Sequence, residues 1–277
     1  MNSMQVKDKL RFISQRDNLD FNTLLRFYVF DCFIARLSQS KYKDNFIFKG
    51  GFLISNFFGI SNRHTIDIDS AITNEIFDKD NIVKIINEII SIDLKDNVKF
   101  SIYSVTNIRD EDEYGGYRIN LKFNLDNIIE TLTLDIVTGD PITPCAINYH
   151  YKSLLNNNFE IWSYNIETIL AEKLETILSK GELSSRMKDY YDIYLIYNRS
   201  WDNIDKKILN KAIKNTFDKR QYNGNAKKTF DIISTSSILK ARWKTYARKY
   251  DYANNIKYED VINCLFNIIN ITNLSKK

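Results

Sequence analysis

Between residues 166 and 271 the apolar residues recur almost entirely at helical spacing, in segments 166–179, 186–197, 202–217, 236–250 and 258–271. Ahead of Pro141 and Pro144 the pattern is different. Two-residue alternation predicts strands at 65–72, 98–105, 117–125 and 131–137, and an apolar run predicts another at 46–48. Helices are expected there in the first forty residues, after the Gly50-Gly51 turn and at 80–92, with a Gly115-Gly116 turn between two of the strands. A chain that changes period once in this way folds as a mixed α/β part followed by an all-α part, an α+β class. The predicted boundary lies near residue 160, giving parts 1–160 and 161–277 of the 277 residues.

Several functional classes fall away on composition. The longest near-continuous apolar stretch, 27–37, is broken by Asp31 and Arg36 and is too short to span a bilayer. The first residues are polar, so the expected location is the cytoplasm, away from membranes. Cys32, Cys145 and Cys264 are odd in number and far apart, which fits neither a disulfide framework nor a zinc-ligand pattern. His64 and His150 stand alone, which argues against a histidine-rich metal site.

The net charge of +4 is unevenly distributed. From Trp201 onward there are 16 Lys+Arg against 7 Asp+Glu, whereas the first 200 residues are net acidic. An asymmetry of this kind suits a polyanionic partner or simply solvated helix faces. Lys207, Lys211 and Lys214 share one helical face, and Trp243, Tyr246 and Tyr250 lie among later basic residues where they could stack on bases or fill a core.

The chemistry-bearing stretch is Lys49-Gly50-Gly51, a helical segment, and then Arg63-His64-Thr65-Ile66-Asp67-Ile68-Asp69. On a strand Asp67 and Asp69 point the same way, with Ile66 and Ile68 on the opposite, core face. Two carboxylates side by side repel unless a cation lies between them, and hard oxygen donors suit Mg²⁺ or Mn²⁺. A Gly-Gly turn opening a helix offers backbone N–H groups to phosphate at the positive end of the helix dipole. Together these point to phosphoryl or nucleotidyl transfer from a nucleoside triphosphate. Asp135, on an otherwise apolar strand, is a third candidate metal ligand or an Asp held by backbone at a strand end. Lys173 and Asp189 lie on helices, where the alternatives are a structural ion pair or a lysine that offsets triphosphate charge and an aspartate that orients or deprotonates the acceptor hydroxyl.

Those residues, with Leu134-Asp135-Ile136-Val137-Thr138-Gly139-Asp140-Pro141, Ala171-Glu172-Lys173-Leu174-Glu175 and Arg186-Met187-Lys188-Asp189-Tyr190-Tyr191-Asp192, resemble the AbiEii/AbiGii toxin nucleotidyltransferases of abortive-infection systems, which are related to the MenT toxins. The resemblance covers residues 45–200 in order. It implies a DNA-polymerase-β-like nucleotidyltransferase lobe with a mixed sheet, joined to a helical lobe. It also implies Mg²⁺-dependent use of an NTP, an RNA acceptor such as the tRNA 3′ end, and a cognate antitoxin encoded nearby. By motif, Asp67 and Asp69 are the metal pair and Lys173 and Asp189 the essential helical residues. Lys49, Gly50, Gly51, Arg63 and Thr65 fall to the nucleotide, and Thr65 is also a candidate target for an antitoxin kinase. Phe52 departs from the family's KGGT, which removes a hydroxyl contact to phosphate. The rival readings are a small-molecule or protein acceptor, or a GTP- or antitoxin-binding module without catalysis.

Overall fold

A computed structural model of the protein describes residues 3–108, 115–155, 158–272 and 274. The chain forms two compact units, Met1–Gly139 with Ile147–Ser163, and Asp140–Ala146 with Tyr164–Lys277.

The first unit opens with two helices, α1 (Ser3–Asp17) and α2 (Phe21–Gln39). Asp20 begins α2 by accepting the Thr23 N–H at 2.8 Å, which satisfies one of the donors a helix start leaves open. There follow β1 (Phe46–Lys49), α3 (Gly50–Phe58), β2 (Asp67–Ile72), α4 (Lys79–Ile90), β3 (Val98–Ile108), β4 (Gly116–Leu125), β5 (Ile128–Val137), β6 (Ile147–Tyr151) and β7 (Phe159–Ser163). The seven strands form one mixed sheet in the order β3-β4-β5-β2-β1-β7-β6. β1 and β7 are parallel, as are β2 and β5, and the remaining neighbours are antiparallel.

Burial follows the two periods. On β4, Ile119, Leu121, Phe123 and Leu125 are buried, with Asn120, Lys122 and Asn124 between them. On α4, Ile82, Ile85, Ile86 and Ile89 are buried, the i, i+3, i+4, i+7 stripe of an amphipathic helix. Each such side chain contributes roughly 1.5–3 kcal/mol when removed from water. An aromatic cluster joins Phe52 of α3 to Phe30 of α2, Phe48 of β1 and Tyr151 of β6, with ring centroids 5.4–5.8 Å apart. Phe52, fully buried there, serves the core, which accounts for an aromatic side chain after the two glycines.

In the second unit α5 (Ile166–Lys180), α6 (Met187–Ser200), α7 (Lys206–Lys219), α8 (Ala226–Thr235), α9 (Ser237–Lys249) and α10 (Tyr258–Ile271) follow one another. Asn165, Asp205, Asn225 and Ser236 cap four of these with side-chain oxygens. The segment Asp140–Ala146 is tied to this unit through Thr143. Its carbonyl accepts from Asn165 Nδ2 at 2.7 Å and Thr168 Oγ1 at 3.1 Å, and its hydroxyl accepts from Asn215 Nδ2 at 2.9 Å.

Several sequence expectations need correction. β2 starts at Asp67, not at residue 65, and Ile66 is 64% exposed, not in the core. Gly116 is the first paired residue of β4 and not part of a turn, while residues 109–114 lie outside those described. The sequence reading passed over β6, β7 and α8: the strands are short and partly exposed, and α8 spans less than three turns. Among the described residues no helix is long and apolar enough to cross a membrane.

Candidate active site

Sheet register assembles the site in the first unit. Lys49 pairs with Asp69 across β1 and β2, Asp69 with Asp135 across β2 and β5, and Asp135 with Arg118 across β5 and β4. Directly paired residues share a sheet face, so four adjacent strands carry a row Lys–Asp–Asp–Arg. Asp67, two residues before Asp69, faces the same way. One carboxylate oxygen from each of Asp67, Asp69 and Asp135 lies within 4.8 Å of the others. Hard oxygen donors gathered in this way could hold a divalent ion such as Mg²⁺ or Mn²⁺. Asp135, near the end of β5, thus lies beside Asp67 and Asp69 in one carboxylate cluster.

The surrounding residues hold these carboxylates in place. Thr65 donates its hydroxyl to Asp67 Oδ1 at 2.6 Å and is itself buried. Arg118 grips Asp135 with two parallel bonds, Nε to Oδ1 at 2.8 Å and Nη2 to Oδ2 at 2.6 Å. Hydrogen bonding to Asp135, with the charges of Asp67 and Asp69 behind it, raises the Arg118 guanidinium above its ordinary value. The sequence reading missed Arg118. The only available signal was a cation at a polar position of the neighbouring strand, and seeing it requires the strand pairing.

The two glycines are needed for this packing. Gly50 opens α3 at φ +65°, a left-handed conformation that favours glycine. A Cβ on Gly51 would lie 3.0 Å from Arg63 Nη2 and 3.3 Å from Thr65 Oγ1. Arg63 is buried there and donates to the His64 carbonyl. Lys49, Gly50, Gly51, Arg63, Thr65, Asp67, Asp69 and Asp135 are thus gathered on and around β1, α3, β2 and β5.

Lys173 and Asp189 belong to the helical unit and form a separate buried cluster between α5 and α6. Lys173 Nζ lies 2.7 Å from Asp189 Oδ1 and 2.7 Å from Asp192 Oδ2. Burial alone would lower the lysine's pKa, but the two carboxylates outweigh it and raise it. Burial would likewise raise Asp189, yet Lys173 and Arg186 hold it well below the usual carboxylate range. Arg186 reaches Asp189 Oδ2 with Nε at 2.7 Å while its side chain remains 55% exposed. On α7, Lys207, Lys211 and Lys214 are exposed, with the Asp205 carboxylate near Lys207. Trp243 is buried and donates Nε1 to the Ile256 carbonyl, so of Trp243, Tyr246 and Tyr250 it serves the core.

Comparison with known proteins extends these observations. Two solved structures share the fold at 14% identity. MenT4, a nucleotidyltransferase toxin from Mycobacterium tuberculosis H37Rv, matches with a TM-score of 0.60 over 95% of this chain and 98% of its own. JHP933 from Helicobacter pylori matches with a TM-score of 0.55 over 93% and 94%. No functionally curated protein matches the sequence. The family model described as "Nucleotidyl transferase AbiEii toxin, Type IV TA system" matches residues 32–263, most of the chain and both units. The protein therefore belongs to the AbiEii nucleotidyltransferase toxins of type IV toxin–antitoxin systems, with a nucleoside triphosphate as substrate and an antitoxin as partner.

Proposed function

We propose that this toxin transfers a nucleoside monophosphate from an NTP to an RNA acceptor, the 3′ end of tRNA, in the cytoplasm, with Mg²⁺ or Mn²⁺ held by Asp67 and Asp69, joined by Asp135. The observation that carries the reading is the three-carboxylate cluster packed against the Gly-Gly turn that opens α3. In nucleotidyl transfer an acceptor hydroxyl oxygen bonds to the α-phosphorus, the bond to the β-phosphate oxygen breaks, pyrophosphate leaves, and the hydroxyl proton is released. A bound divalent ion would supply charge neutralisation at the triphosphate. The turn of Gly50 and Gly51 offers N–H groups to phosphate at the start of α3, with Lys49 and Arg63 adding positive charge. Thr65 holds Asp67 in its orientation.

Lys173 and Asp189 act as a unit. A carboxylate kept so far below its ordinary range is a poor proton acceptor at neutral pH. Asp189 is accordingly an orienting group, and Arg186, anchored on it and half-exposed, presents the unit's positive charge. RNA is favoured over a small-molecule acceptor by the exposed stripe of Lys207, Lys211 and Lys214, since phosphate contacts draw on such exposed cations.

The test is to incubate the protein with total RNA and each α-labelled NTP in turn. Label should enter RNA of tRNA size for one or more nucleotides, and the Asp67→Ala variant should transfer none. Replacing Lys207, Lys211 and Lys214 together by Glu should raise the KM for RNA far more than that for the NTP, most clearly at low salt. Label found only in a small molecule or in protein would overturn the RNA assignment.

A further inference from the structure

From the carboxylate cluster one face of the sheet runs outward across β5, β4 and β3 to the sheet edge. Asp67 pairs with Thr133, Thr133 with Asn120 and Asn120 with Ser104, so these side chains form a second row beside Asp69, Asp135 and Arg118. We propose that this face holds the unpaired 3′ end of the acceptor RNA, with a base stacked on Tyr103 and a phosphate at Lys122, and leads the terminal hydroxyl to the carboxylates.

The face is polar, and its polar groups are ordered. Thr133 donates its hydroxyl to Asn120 Oδ1 at 2.9 Å, and Asn120 Nδ2 donates to Ser104 Oγ at 2.9 Å. The Asn120 amide is thereby fixed in one orientation. Its second N–H and the Ser104 hydroxyl proton are donors suited to ribose hydroxyls and phosphate oxygens. The row spans three strand spacings, about 14 Å, a length that suits the last few nucleotides of a strand better than a small acceptor. Charge runs the right way as well. Of the described residues on this face of the three strands, the charged ones are Lys99, Arg118 and Lys122, with Asp135 at the cluster. A polyanion approaching the cluster therefore meets cations first, whereas a cationic small molecule is repelled.

Tyr103 supplies what a merely wetted sheet face does not need. The register of β3 on β4 shifts between Ile102 and Ser104, which leaves Tyr103 as the extra residue of a bulge, a device that re-aims a side chain. Tyr103 is 63% exposed, and Lys122 Nζ lies 4.4 Å from its ring centroid. The ring and the ammonium thus stand together, an aromatic plane for a base beside a cation for a phosphate, the combination by which proteins hold single-stranded nucleic acid. Open sheets that stack bases on strand aromatics are a recurrent way to hold unpaired RNA. Every base has a face to stack, so this grip takes an unpaired end without reading its sequence.

The inference deepens the RNA reading and rests on it. The test measures binding of unfractionated tRNA to the full-length, nucleotide-free protein, with the RNA either intact or trimmed of its unpaired 3′ nucleotides. Trimming should weaken binding by the wild type about tenfold, the size of a stacking contact, and should weaken Tyr103→Ala by about twofold or less. Tyr103→Phe, which keeps the ring, should behave as the wild type. Lys122→Gln should reduce the slope of log affinity against log salt by about 0.7, the value of one single-strand phosphate contact. The KM for the NTP should not change in any of the three, and all should melt near the wild type because both residues are exposed. Equal binding of intact and trimmed tRNA by the wild type, or loss of the same factor for both RNAs in Tyr103→Ala, would overturn the sheet face as the seat of the 3′ end. Transfer of label to a small molecule or protein alone, at equal rates in wild type and Tyr103→Ala, would instead overturn the RNA reading and the sheet-face grip with it.

Discussion

A Cβ on Gly50 would lie 2.3 Å from Oδ2 of Asp69, closer than any real contact of that kind. The glycine turn and the carboxylate pair are therefore one packing unit. Gly50→Ala must displace the Asp69 carboxylate and also strain the backbone at φ +65°. Gly51→Ala meets mainly the end of the Arg63 side chain, at 3.0 Å, which can give way. Nucleotide transfer should fall by about 10²–10³-fold in Gly50→Ala and much less in Gly51→Ala. Comparable rates in the two variants would show that the close approach to Asp69 is unimportant.

Removing either carboxylate of the pair should abolish transfer without unfolding the protein, since each faces another negative group. Asp67→Ala and Asp69→Ala should lose at least about 10²-fold in rate while keeping the wild-type far-ultraviolet circular dichroism. Growth arrest on expression should disappear with the activity. A soluble Asp67→Ala protein that still arrests growth would exclude this cluster as the source of toxicity.

The Lys173 cluster makes a prediction about stability as much as about rate. Taking away the lysine leaves Asp189 and Asp192 buried without their shared cation. Lys173→Ala should therefore lose roughly 3–5 kcal/mol in urea unfolding, and Asp189→Asn less. The Lys173–Asp189 bond also gives a pH signature. Asp189, held low, contributes stability above the unfolded carboxylate range that is lost only in strong acid, and Lys173, held high, contributes stability that is lost only in strong base.

A different pH window belongs to Asp31 on α2. Burial pushes its carboxyl up to about 7, although hydrogen bonds from the Tyr151 hydroxyl and the Leu154 N–H, both at 2.6 Å, pull the other way. The folded state thus keeps a proton that the unfolded chain releases near pH 4. Stability should fall as pH rises from about 4 to 7, by roughly 2–4 kcal/mol, and level off above. Denaturant midpoints measured across that range should show the slope in the wild type and lose it in Asp31→Asn, whatever the variant's absolute stability.

How far the site could be read in advance depended on whether its parts are neighbours in sequence. Lys49 through Asp69 carries a strand, a glycine turn, a helix and a carboxylate pair in one stretch, and alternation along β2 alone puts Asp67 and Asp69 on one face. Asp135 was visible as an anomaly on an apolar strand, but its place beside Asp69 comes from the parallel pairing of β2 with β5, which no local pattern specifies. Arg118 was one step further away, since its partner is set by the antiparallel register of β4 on β5. Lys173 and Asp189 could each be picked out, yet that they bond to one another follows from how α5 packs on α6. The five-residue strands β6 and β7 escaped because so short a segment with one damp face carries little periodicity.

The segment Asp140–Ala146 leaves the sheet unit, is fastened to the helical unit through Thr143, and hands the chain back to β6. The polypeptide therefore passes from one unit to the other at three places. A single recombination junction cannot exchange one unit as a cassette: cut after β7, the incoming helical part lacks its own strap, and cut before the strap, it carries two strands of another protein's sheet. Both halves are then inherited together, and substitutions that suit one nucleotide site must be tolerated by the helices that travel with it.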